Sequence, residues 1–242
     1  MILKKMIILA VCVVICFSLL VASCVYSDSL PISTADAVMQ KSIPIIIIDA
    51  GHGGFDGGAS TNDGTPEKDI NLNISLYLNE FLSSFGYKTI LTRSVDESLE
   101  SDGLTTIKSK KTSDIHNRMK IMEDTENSLF ISIHQNHYSV EKYNGTQVFY
   151  SPNFSEESSL LAQNIQDTVV SQLQPNNERK IKECGSSVYL MFNAVKPAVL
   201  VECGFLSNNE EAEMLKTTQY QKKMAFCIAI GIQNYVTVKV EK

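Results

Sequence analysis

Apolar and polar positions divide the chain into three regimes. Between Met6 and Ala22 apolar residues run almost unbroken behind Lys4 and Lys5. Residues 26–43 are small and polar with no sustained period. From residue 44 onward, short β-branched runs alternate with stretches whose apolar positions recur at helical spacing. Ile45-Ile46-Ile47-Ile48 after Pro44 predicts a strand buried on both faces, as in a parallel sheet. It runs into the glycine-rich turn Asp49-Ala50-Gly51-His52-Gly53-Gly54. Thr65-Pro66-Glu67 predicts a helix start, with Thr65 as N-cap, Pro66 in the first position and Glu67 and Asp69 in the first turn. Ile70, Ile74, Tyr77, Leu78, Phe81, Leu82 and Phe85 then recur at helical spacing until Gly86.

Further strands are predicted over residues 87–91, 129–133, 145–150 and 198–201, and further helices over 114–126, 155–173 and 220–235. Residues 94–113 are polar, lysine-bearing and without a period, and are expected to form a long loop. The alternation predicts a single α/β domain over residues 44–238, with a mixed, largely parallel sheet flanked by helices. No internal repeat is visible.

The basic start and apolar run over residues 1–25 read as a signal peptide or an uncleaved membrane anchor, and residues 26–43 as a linker. Val21-Ala22-Ser23-Cys24 also resembles a lipoprotein cleavage box, with Cys24 as the residue lipidated. On each of these readings the domain is exported and touches the membrane only through its N-terminal segment. The 242 residues carry a net charge of −6, and nothing basic and patterned points to nucleic acid. Cys184, Cys203 and Cys227 do not make an even, closely spaced framework, so they are expected to be buried free thiols.

Candidate chemistry lies where the predicted elements meet. His52, His134 and Glu202 each follow directly on a predicted apolar strand, and Glu67 opens the helix after the first. Strands of an open parallel sheet place such residues together beyond their carboxyl ends. Two imidazoles and a carboxylate suit a zinc ion with an open position for water, whose pKa falls from 15.7 to about 7 when bound. Val199-Leu200-Val201 should desolvate Glu202 and raise its pKa, which suits a base that must cycle. Glu67 at a helix N-terminus is better suited to stay ionised as a ligand. Each residue also has an ordinary reading: His52 as a turn residue, Glu67 as a first-turn acid, Glu202 as a buried structural acid. No basic partner for Glu202 is evident locally.

These residues sit in a longer set of motifs. They are Ile47-Ile48-Asp49-Ala50-Gly51-His52-Gly53-Gly54, Glu67-Lys68-Asp69-Ile70-Asn71-Leu72, Leu91-Thr92-Arg93, Ser132-Ile133-His134-Gln135-Asn136, and Val201-Glu202-Cys203-Gly204-Phe205-Leu206-Ser207-Asn208. In this order, and covering almost all of the domain, they resemble the zinc-dependent N-acetylmuramoyl-L-alanine amidases of the type-3 family. The resemblance implies zinc on His52, Glu67 and His134, with Glu202 as catalytic acid/base. The bond cut would be the amide between N-acetylmuramic acid and L-alanine in peptidoglycan.

One domain behind a leader, with His134-Gln135-Asn136-His137, is most similar to the sporulation branch. That branch strips stem peptides from spore cortex ahead of muramic-lactam formation, and its clostridial members are associated with a lipoprotein partner. Asn136 and His137 are candidate substrate contacts on this resemblance. Cys203 departs from the family's usual residue and reads as a small core residue. A zinc peptidase or deacetylase on wall material, or a non-catalytic wall-binding protein, are the rival readings. Arg93 and Arg118 are expected to hold structure through carboxylate or carbonyl contacts, and His116 to be solvated. The glycine run 51–58 lacks the ending of a phosphate loop.

Overall fold

A computed structural model describes residues 43–240; the expected leader, Cys24 and nearly all of the linker lie outside the described residues. Six strands form one mixed sheet: β1 (Ile45–Ala50), β2 (Thr89–Leu91), β3 (Ser128–Asn136), β4 (Gln147–Tyr150), β5 (Lys182–Glu183) and β6 (Ala198–Phe205). Their order is β2-β1-β3-β6-β4-β5. β2, β1, β3 and β6 run parallel, while β4 is antiparallel to β6 and carries β5 parallel to itself. The helices are α1 (Glu67–Ser84), α2 (Ile107–Asp124), α3 (Ser155–Gln172), α4 (Tyr189–Phe192), α5 (Asn209–Leu215) and α6 (Thr218–Val240). This is the mixed, largely parallel α/β architecture expected from the alternation of elements.

Pleating sends alternate residues to opposite faces. Ile46, Ile48, Ile131, Ile133, Val199, Val201 and Cys203 join the larger core, packed against α1, α3 and α6. Ile47, Phe130, Ala198 and Leu200 join a smaller core beneath α2 and α4. Each fully buried Ile or Leu of these layers contributes about 1.5–3 kcal/mol of transfer free energy. α6 lies close on α3 because position 231 is glycine: a Cβ there would stand 2.6 Å from the Ile165 Cα. Among the described residues no helix is long and apolar enough to cross a membrane.

Several boundaries differ from expectation. β3 and β6 continue through His134 and Glu202, which therefore stand inside strands rather than directly after them. A polar residue ends an apolar run on paper, but ladder hydrogen bonds extend regardless of side chain. α2 begins at Ile107, inside the expected loop, where the Thr106 side chain accepts from the Ser109 amide. Its first turns are polar and show no apolar stripe. The N-cap of α1 is Pro66, not Thr65, and makes no side-chain cap. The amides of Glu67 and Lys68 donate instead to the Ala59 and Gly57 carbonyls, at 2.8 and 3.1 Å. The short elements β5, α4 and α5 had no signal of their own.

Candidate active site

The parallel register aligns β1, β3 and β6, with Asp49 opposite Ser132 and His134 opposite Glu202. All four share the face of Ile47, Phe130 and Leu200. The pleat thus places a polar row at the carboxyl end of the sheet, under α2 and α4. A cavity of about 300 Å³ opens there, lined by His52, His134, Glu202, Asp49, Tyr189 and Met191 among others.

His52 arrives from the turn after β1. It sits at φ 61° and is followed by Gly53 and Gly54, also at positive φ, so the chain reverses sharply. Two arginines hold that turn. Arg93 donates to the carbonyls of Ala50, Gly51 and Lys68 at 2.8–3.1 Å. Arg118 donates to Asp49 Oδ1 at 2.6 Å and to the His52 carbonyl at 2.7 Å. Both arginines are structural, as expected. Asp49 also accepts from Ser132 and Thr92; burial alone would raise its carboxyl, but Arg118 and Ser132 hold it below the usual range.

Glu67 begins α1 and points under this turn. Its carboxylate accepts from the amides of Ala59 and Gln135 at 2.9 and 3.1 Å and from Asn71 Nδ2 at 3.1 Å. It also lies 3.0 Å from His134 Nδ1 and 3.3 Å from His52 Nε2. Burial would raise it, yet the contacts with His134 and His52 hold it far below the ordinary carboxylate range. His52 Nδ1 lies 3.0 Å from Asp56, which is itself 2.9 Å from Lys111. Burial would lower the His52 imidazolium, but hydrogen bonds to Asp56 and Glu67 lift it to about 9. The Asp56 contact leaves Nε2 facing Glu67.

One ligand atom from each of His52, Glu67 and His134 lies within 4.8 Å of the others. The donor set fits a divalent ion: zinc bonds of 2.0–2.1 Å arranged tetrahedrally put ligand atoms about 3.3 Å apart. The backbone leaves room for these side chains only because of glycine. A Cβ at Gly51 would lie 2.3 Å from the His134 ring, and one at Gly58 would lie 2.5 Å from Glu67 Oε2. A single charge-paired cluster could bring the three side chains together without a metal. The buried Glu202 Oε2 beside them, which has no hydrogen-bond partner among the described residues, is what such a cluster leaves unexplained. Burial pushes Glu202 up, His134 draws it down and Glu67 lifts it again, leaving it at about 7.

The structure brings together His52, Glu67, His134 and Glu202. Asn136 ends β3, His137 is exposed just past it, and neither is among the residues lining the cavity. Cys203 faces the opposite core and is fully buried, with burial raising its thiol far above the ordinary range, so it is a core residue and faces away from His52, Glu67 and His134. His116 is exposed and stands 5.4 Å from the Tyr189 ring. Asp56, Asn71 and Gln135 were not singled out by sequence. Only the spacing of Asp56 four residues after His52, in a glycine-rich turn, offered a hint.

A model of the family described as N-acetylmuramoyl-L-alanine amidase matches residues 46–234, and the chain belongs to this family of hydrolases acting on peptidoglycan. Among individual relatives, the germination-specific N-acetylmuramoyl-L-alanine amidase of Bacillus subtilis is 38% identical over 211 residues, covering 86% of this chain and 87% of that protein. The CwlD amidase from Clostridioides difficile, solved in complex with the GerS lipoprotein, superposes with a TM-score of 0.78 at 41% identity, covering 81% of this chain and 99% of that one. The amidase AmiC2 of Nostoc punctiforme gives 0.68 at 28% identity, covering 80% of this chain and 97% of that one.

Proposed function

We propose that the chain cuts the amide between N-acetylmuramic acid and L-alanine with a zinc ion held by His52, Glu67 and His134, and with Glu202 as acid/base. The observation that carries this reading is the buried Glu202 Oε2, without a hydrogen-bond partner among the described residues, next to three converging ligand atoms. When bound, zinc would polarise the scissile carbonyl and acidify a water molecule. Glu202 Oε2 accepts the proton of the attacking water and delivers it to the departing L-alanine nitrogen. Its raised pKa lets it do both near neutrality. Asp56 keeps the Nδ1 proton on His52, so Nε2 is free to ligate. Asn136 and His137 sit at the sheet edge beyond His134 as outer substrate contacts.

The relatives support a setting for this reaction. Similarity to a germination-specific amidase and to CwlD supports stem-peptide removal from spore cortex ahead of muramic-lactam formation. The GerS complex of that relative supports a lipoprotein partner here. Residues 1–25 would export or tether the chain, 26–43 would link, and 44–238 would form the catalytic domain outside the cytoplasmic membrane. Mass spectrometry of muropeptides incubated with the protein, with and without a chelator, tests the reaction. Chelator-sensitive release of intact stem peptides is expected. Cleavage within the stem, or loss of acetyl groups, would overturn it in favour of a peptidase or deacetylase.

A further inference from the structure

Glu202 has a neighbour on its own face that the hydrolytic step does not use. Gln147 of β4 pairs with Glu202 of β6. Val148 packs into the larger core, so the pleat turns Gln147 to the Glu202 side. Directly opposed side chains on a sheet stand about 5 Å apart at Cβ. Gln147 is fixed at both ends of its amide: Nε2 donates to the Lys180 carbonyl at 2.8 Å, and Oε1 accepts from Arg179 Nη1 at 3.2 Å.

Arg179 is held in turn. Its guanidinium lies 4.5 Å from the Phe205 ring centre and 5.8 Å from that of Tyr143, and Nε donates to the Asn144 carbonyl at 2.7 Å. Its hydrogen-bond acceptors are both neutral oxygens. Among the described residues no carboxylate comes within ion-pair distance, and Nη2 makes no hydrogen bond. Glu211 is near enough to feel the charge, but its oxygens are taken by the amides of Gly145 and Phe205. A planar guanidinium that is stacked, oriented and lacking a counter-ion is preorganised for a carboxylate. Lys180 and Lys182 lie beside it on the same edge, also without an ion pair among the described residues, in a chain of net charge −6.

We propose that Arg179, seated by Gln147 and Phe205, is the subsite for a free carboxylate of the stem peptide, on the L-alanine side of the scissile amide. This rests on the amidase reading of the site. A muramic acid amidated at its lactyl group is neutral, whereas the stem peptide bears carboxylates, so a cationic flank selects the peptide side. One residue of extended chain spans about 3.5 Å, so a carboxylate on the residue after L-alanine reaches about 7 Å from the cleaved bond. That reach is compatible with the sheet, where Gln147 lies opposite Glu202 and its amide contacts Arg179.

The test compares two substrates that differ at one group and have the γ-carboxyl of the second residue blocked as its methylamide: N-acetylmuramoyl-L-alanyl-D-glutamate γ-methylamide, with a free α-carboxylate, and its α-amide. The zinc-loaded chain should prefer the acid by about tenfold in kcat/KM, mainly through KM. Arg179→Ala should erase that preference, and Arg179→Lys should restore part of it. Calorimetric affinities of the Glu202→Gln chain for the same pair, with and without Arg179→Ala, should show the same ratio without turnover. No preference in the unaltered chain, or equal losses on both compounds, would overturn the subsite. Undisturbed substrate preference with lost binding of a protein partner would assign the patch to docking and also overturn it. Failure of the amidase reading appears separately, as no cleavage of either compound while the binding ratio still reports on Arg179.

Discussion

Glu67 and Glu202 are chemically identical side chains flanking the same two imidazoles, and their surroundings drive them in opposite directions. Glu67 is met by two backbone amides, the Asn71 amide and both histidines, and stays ionised. Glu202 has one buried oxygen with no hydrogen-bond partner among the described residues and is lifted to about 7. The difference lies in the backbone. Glu67 stands where the loop amide of Ala59 and the Gln135 amide, at the register shift of β3 between His134 and Asn136, both point at it, whereas Glu202 stands in the regular ladder of β6. On the proposed function, one residue type thus supplies both a cation ligand and a proton carrier by standing in two kinds of local structure.

The largest expected effect breaks that contrast on the Glu202 side. Glu202→Gln should lower hydrolysis by about 10²–10⁴-fold while the bound zinc, measured by elemental analysis, stays at one equivalent. Loss of the metal in that variant would make Glu202 a ligand. In the unaltered chain, kcat/KM should rise with pH through an acid limb that the variant lacks. That limb should fall at or below about 7, because a nearby cation favours the ionised carboxylate.

The same substitution sharpens the contrast without turnover. Glu202 moves from an ordinary 4.5 in the unfolded chain to about 7 in the fold, so the folded state holds the extra proton. Its contribution is therefore present below about 4.5 and lost as pH rises through 7. Metal-free Glu202→Gln should consequently melt higher than the unaltered chain at pH 8, by up to about 3 kcal/mol, with little difference at pH 4. Equal melting shifts at both pH values would remove the buried-acid account.

On the ligand side, Asp56→Asn should weaken zinc affinity by about 10–100-fold in a chelator competition, through the orientation of His52. Unaltered affinity would show that the Asp56 contact does not position the imidazole. The smallest effect belongs to the neighbour of Glu202. Cys203→Ala should cost about 1 kcal/mol of stability and leave zinc content unchanged. A change in metal content would contradict its placement in the opposite core.

The convergence of the four candidate residues was legible in the sequence because apolar strands and a helix start frame them, and the sheet's parallel character followed from Ile45 to Ile48. Three things were hidden. His134 and Glu202 looked like strand ends because a polar side chain breaks an apolar run, although both lie within the ladder. The first two turns of α2 bear Lys108, Lys110 and Lys111 and no apolar stripe, so they read as loop; Lys111 nevertheless reaches Asp56. Gln147 is brought opposite Glu202, with Arg179 bonded to its amide, by the reversal of β4, and a strand reversal leaves no trace in local periodicity.

The alternation of β6 has an evolutionary corollary. Val201, Glu202 and Cys203 point in turn to the larger core, the site and the larger core again. A one-residue deletion or insertion within the strand would present a thiol or an isopropyl group to the substrate and drive a carboxylate into hydrocarbon. From Ala198 to Glu202, β6 should therefore tolerate residue replacement at many positions but no length change, whereas beyond Glu202 its register shift against β3 already accommodates an extra residue.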